Sequence, residues 1–202
     1  MFHQADDIHL FLSPFDLSEV STKAPATAAP MGADDLARLV VASFADRGDD
    51  AAAAFLAKHG LSADDTEELT LLIATCAAGP VAAYDTGMTA FKNGQIGAAV
   101  QTFAVLAVYG PLRAPALTGL AACACFQKDY DAALLFALES ITCKENHPRT
   151  HLIAGYSALK AGDKKTAKRQ LALATRLARG APLYRDEQRC AQRELLLMQL
   201  SS

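Results

Sequence analysis

The sequence predicts an all-α fold of stacked helical hairpins, and three observations carry that expectation. Of its 202 residues, 51% are apolar and 7% aromatic, with no Trp. Alanine is abundant, and it is the strongest helix former, with a side chain small enough for helices to approach closely. Apolar residues recur at helical spacing in successive windows, each closed by Gly or Pro. The chain is also self-similar at 34 residues. Gly94, Lys128 and Gly162 are so spaced, as are Gly87, Ala121 and Gly155. So are Ala99, Ala133 and Ala167, then Ala90, Ala124 and Ala158, and then Phe91, Cys125 and Leu159.

A period of 34 is the signature of tetratricopeptide helix–turn–helix repeats. Such repeats stack into a right-handed superhelical solenoid whose concave surface binds segments of other proteins. Three tandem repeats are expected: about Val81 to Leu112, Ala114 to Asn146, and Pro148 to Gly180. In each, a helix A and a helix B flank a turn, read as KNGQIGAA, QKDYDAA and KAGDKKTA. Gly94 and Gly162 occupy the turn, where a positive φ is cheap only for glycine. Lys128 departs from that pattern and predicts a slightly different second turn. Ala99, Ala133 and Ala167 stand where helix B crosses helix A, and a larger side chain there would overpack by about 1–3 kcal/mol. Phe103, Ala137 and Leu171 take the packing position of helix B, and Pro111 and Pro148 mark repeat junctions.

Around the repeats of residues 81–182, three further parts are expected. Residues 1–32 read as a flexible extension, with STKAPATAAPMG (21–32) as its linker. Ahead of the linker lies an apolar cluster of Phe2, Ile8, Leu10, Phe11, Leu12, Phe15 and Leu17, which needs cover from its own solenoid or from a second subunit. Residues 33–80 read as N-terminal helices and as the candidate region for a homodimer. The first begins at Asp34, presents Leu36, Leu39, Val40 and Phe44, and stops at Gly48. The second runs from Asp50 to His59, closed by Gly60. The third opens on Ser62 and Asp65, which resemble a capping box, presents Leu69, Leu72, Ile73 and Cys76, and ends at Gly79-Pro80. Residues 183–202 form a C-terminal capping helix, with Arg185, Glu187, Gln188, Arg189, Gln192 and Arg193 as its polar outer face.

A formal net charge of −3 hides a gradient. Residues 1–80 carry thirteen acids and four bases, whereas residues 160–202 carry ten bases and four acids. Opposite-signed ends favour intramolecular docking or antiparallel self-association; solvated helix faces are the simpler account. Five cysteines form an odd set with no CxxC, and most sit at apolar helical positions, which points to a reducing cytoplasm. The N-terminus has acids but no base before Lys23, unlike a secretory signal. No apolar run approaches the length of a membrane span. A cytoplasmic protein without membrane contact is expected.

The patterns that carry catalysis do not occur: there is no Gly-rich phosphate loop, HExxH or GxSxG. No enzymatic activity and no cofactor are therefore expected. Cys143, His147 and His151 have the i, i+4, i+8 spacing of metal ligands, but Pro148 interrupts the run, so packed or solvated side chains are expected instead. Cys123 and Cys125 point about 200° apart around one helix and cannot share an ion. The pairs Asp34/Asp35, Asp49/Asp50 and Asp64/Asp65 fall at helix starts, where carboxylates complement exposed N–H groups. The run Lys164, Lys165, Lys168 and Arg169 lacks interleaved aromatics and falls on a helix B, so no nucleic-acid partner is expected.

The stretch from Tyr84 to Ala174 resembles the class II chaperones of bacterial type III secretion systems. The resemblance rests on GLAAC (119–123) followed by DYDAAL, on the KENHPR junction, and on AGYSALKAGDKKTAKRQLALA in the third repeat. Upstream, SFADRGDDAAAAFLAKHGLSADDTEEL is similar to the family's N-terminal helix and its entry into the first repeat. The segment TLLIATCAAGPVAA looks inserted, residues 1–32 are an unusually long extension, and Lys128 replaces a turn glycine.

In a tetratricopeptide stack the concave side is lined by helix A at turn-spaced positions. Here those are Tyr84, Met88 and Phe91, then Thr118, Ala122, Cys125 and Phe126, then Leu152, Tyr156 and Leu159. The resemblance implies that this groove takes an extended segment near the N-terminus of a hydrophobic translocator protein, seating prolines and a leucine. Met88 stands where the family usually has an aromatic, and the small Thr118 and Ala122 are expected to leave hollows. The resemblance also implies a regulatory protein partner. A general tetratricopeptide scaffold, or a chaperone of another secretion substrate such as a needle subunit or effector, is the alternative.

Overall fold

The computed structural model describes residues 50–60, 72, 75–76, 78–108, 112–143 and 146–200. The expected extension, its linker, the helix from Asp34, the Ser62–Asp65 box and Pro111 lie outside them. Among the described residues there are eight α-helices and no strand, so that part of the chain is all-α. The helices are α1 (Asp50–Lys58), α2 (Pro80–Lys92), α3 (Ile96–Val108), α4 (Arg113–Phe126), α5 (Tyr130–Thr142), α6 (Pro148–Lys160), α7 (Lys164–Leu177) and α8 (Arg185–Leu200). A 3-10 turn at Pro182–Tyr184 precedes α8, which therefore begins two residues later than the sequence suggests.

From α2 to α8 each helix packs on the next. In addition α2 meets α4, α4 meets α6 and α6 meets α8, while α1 lies against α3 and α5. Pro80 and Pro148 open α2 and α6 at the first helical position, where the missing N–H costs nothing. Asp129 and Asp163 cap α5 and α7 by accepting from the N–H groups of Ala132 and Thr166.

The three hairpin turns close with one hydrogen-bond pattern repeated at the 34-residue offset. The N–H groups of Gly94, Lys128 and Gly162 donate to the carbonyls of Phe91, Cys125 and Leu159. Those of Gln95, Asp129 and Asp163 donate to Ala90, Ala124 and Ala158. Lys128 does not change this geometry: its φ of 63° matches the 76° of Gly94 and the 88° of Gly162 in kind. The turn's hydrogen bonds impose a left-handed residue whatever occupies it, and a lysine there costs about 1–2 kcal/mol.

Helix crossings follow the same offset. A Cβ on Gly87 would lie 2.9 Å from the Phe103 ring, and one on Gly155 would lie 2.7 Å from Leu171 Cγ. Ala121 and Ala137 hold the equivalent places of the middle hairpin at the 34-residue offset, and both are fully buried. Ala99, Ala133 and Ala167 are likewise fully buried.

One main core joins α1 to α6 around Phe55, Phe103, Leu106, Leu117, Leu120 and Phe136. A smaller one of Leu152, Leu171, Ala174 and Ala191 joins α6, α7 and α8. The edge of Phe55 meets Phe136 with centroids 5.9 Å apart, and Gln101 Nε2 donates to the His59 carbonyl, fixing α1 on the stack. Glu187 is not part of an outer face: it is buried and paired with Arg149 of α6, whose Nε donates to Oε1 at 3.0 Å. No described helix is long and apolar enough to cross a membrane.

Candidate peptide-binding surface

The ten positions expected to line a groove divide into interior and surface. Tyr84, on the first hairpin's leading helix, is 1% exposed and turns its ring toward Phe103 of α3, 5.4 Å away between centroids. Thr118 is also interior. Its hydroxyl lies 3.0 Å from Ser140 Oγ and 2.9 Å from Thr150 Oγ1, joining α4 to α5 and α6. Instead of leaving a hollow, Thr118 thus fills its space with a closed hydroxyl cluster, in which Ser140 also donates to the Ala114 carbonyl. Leu152 belongs to the smaller core, against the Leu171 and Ala191 cluster. These three side chains face neighbouring helices because an A helix has partners on most of its circumference.

Met88, Phe91, Ala122 and Cys125 sit just below the surface, and Phe126, Tyr156 and Leu159 reach it. They gather toward the turn end of α2, α4 and α6. Phe91 meets Phe126 edge to face at 6.0 Å, bridging α2 and α4. Tyr156 meets Tyr130, the first residue of α5, in the same manner at 6.1 Å. Lys160 places its ammonium 5.0 Å from the centre of the Tyr156 ring, a cation–π contact of about 0.5–1 kcal/mol. Tyr130 and Lys160 are members of this surface that the repeat pattern does not single out. The DYD turn held the signal for Tyr130, since an aromatic directly after an N-cap is carried at the helix mouth.

The surface is apolar but edged with polar groups, suited to holding a segment by burial and orienting it by a few hydrogen bonds. Burial pushes the Cys125 thiol up to about 12, against a smaller lowering by the Ser157 hydroxyl and the Lys160 charge. Burial likewise raises Tyr130, with the neighbouring Cys125 adding to this and a hydrogen bond from Tyr156 opposing it. Cys125 is therefore a packing residue with a protonated thiol, and Cys123 is raised further by its deeper burial.

The residues with metal-like spacing hold separate structural posts. Cys143 caps the end of α5. His147 caps α6, its Nδ1 accepting from the Arg149 N–H at 3.2 Å, and its ring meets the edge of Tyr184. His151 Nδ1 lies 2.7 Å from Gln170 Oε1 inside the third hairpin. No cluster of three potential ligands occurs among the described residues. No family model, curated protein or solved structure is significantly similar to this chain.

Proposed function

We propose that this chain is a tetratricopeptide-type binding protein and, more specifically, a class II type III secretion chaperone. In this reading it works in the bacterial cytoplasm, without enzymatic activity, and masks an apolar segment of a hydrophobic translocator until export. The observation that carries the reading is the recurrence of the turn hydrogen bonds at 34 residues, in register with the GLAAC, DYDAAL and KENHPR motifs. Packing of α2 on α4 and α4 on α6 supports a shared curvature in which A helices line one side. The binding strip would centre on Phe126, Tyr156 and Leu159, with Met88, Phe91, Ala122 and Cys125 as its floor. Each apolar anchor taken from water contributes on the order of 1.5–3 kcal/mol, offset in part by ordering of the segment.

Co-expression with the hydrophobic translocators of a type III system from the same genome, followed by co-purification, tests the proposal. A soluble complex that survives gel filtration is the expected result. Translocators that stay insoluble beside a well-folded chain would reject it.

A further inference from the structure

The end of the molecule formed by α7 and α8 is strongly basic, and part of its apolar surface is uncovered. Lys164, Lys165 and Lys168 stand exposed on the first turns of α7. Across from them Leu195, Met198 and Gln199 of α8 complete a trough of about 240 Å³. Beside it Leu196 and Leu200, four apart on one stripe of α8, are 56% and 77% exposed. A trough with an apolar floor and a cationic rim selects a segment that is apolar and anionic at once.

We infer that the occupant is the chain's own N-terminal segment, residues 5–17 (ADDIHLFLSPFDL), docked within the same molecule. That segment lies outside the described residues, and its composition is the complement of the trough. It carries Asp6, Asp7 and Asp16 with no Lys or Arg, and Ile8, Leu10, Phe11, Leu12, Phe15 and Leu17 supply apolar anchors. The 32 residues between it and α1, even with the helix expected from Asp34 to Gly48, can span up to about 75 Å, more than the width of such a domain. Tethering raises its local concentration to the millimolar range, so that weak apolar contacts and screened charges suffice. Docked there, the segment would cover the exposed leucines of α8. The inference is independent of which protein the aromatic strip binds.

Hydrogen exchange on the full-length chain tests this. At low salt the amides of residues 8–17 are expected to exchange at least tenfold more slowly than in an unstructured chain. The Lys164→Glu/Lys168→Glu variant should lose that protection while α4 keeps its own. Adding Asp6→Lys and Asp7→Lys to that variant should bring it back. Unstructured-chain rates in the wild type would overturn the inference. So would protection that survives the charge reversal, which would put the segment elsewhere, or protection that disappears on dilution together with a dimer, which would mean exchange between copies.

Discussion

The ring of Phe103 occupies the place where a side chain on Gly119 would stand: a Cβ there would meet the ring at 2.8 Å. The same ring lies against Gly87, so one side chain of α3 is clasped by glycines from the helices before and after it. Gly119→Ala should therefore destabilise the chain by about 1–3 kcal/mol through overpacking, despite alanine's better helix propensity. Urea denaturation measures this, and Phe103→Leu in the same chain should recover part of the loss. A neutral Gly119→Ala would show that the ring has room to move.

The left-handed Lys128 offers the opposite change. Lys128→Gly removes the side-chain strain at a φ of 63°, while glycine's larger unfolded-state entropy takes back part of the gain. A net stabilisation of about 0.5–1 kcal/mol is expected from thermal unfolding, with helical circular dichroism unchanged. A destabilised variant would mean that the lysine stem contributes more by packing than its backbone costs.

Arg149 and Glu187 are both about 3% exposed in their side chains. Glu187→Ala removes the buried carboxylate that accepts from Arg149 Nε and should cost about 3–5 kcal/mol. Replacing both, as Arg149→Met with Glu187→Leu, should restore most of that, because two apolar side chains need no partners. Equal losses in the single and double variants would locate the stability in packing rather than in the charge pair.

Burial raises the Cys125 thiol from 9.0 to about 12, so the folded state holds its proton where the unfolded chain has lost it. Stability from this group is complete below about pH 9 and falls as pH rises toward 12, by up to about 1.4 kcal/mol per unit. Unfolding free energies under reducing conditions at pH 8, 9 and 10 should show the decline, and Cys125→Ala should make it shallower. An unchanged slope in that variant would remove Cys125 as its source.

Phe126 is 39% exposed and therefore separates binding from folding. On the proposed reading, Phe126→Ala should weaken binding of a translocator segment by about 2 kcal/mol, the size typical of aromatic hot spots, with little change in urea midpoint. Phe91→Ala should cost a similar amount of binding, with its helical circular dichroism near wild type. Should Phe91→Ala instead lose fold and binding equally, Phe91 would be core and Phe126 alone would report on the surface.

What the sequence settled by itself was the local and periodic part of the molecule. Hairpin turns and the Ala99, Ala133 and Ala167 crossings depend on hydrogen bonds and spacings within about twenty residues, and these repeat visibly along the chain. Which side of a helix stays open was decided only by the packed whole. Tyr84, Thr118 and Leu152 fit the turn-spaced pattern of a lining residue, yet each is covered by another helix. Glu187 looked like a solvent-facing charge until Arg149, 38 residues earlier, met it in the interior. A helical period fixes the angle between side chains, but burial depends on how many neighbours surround the helix, and distant segments supply those neighbours.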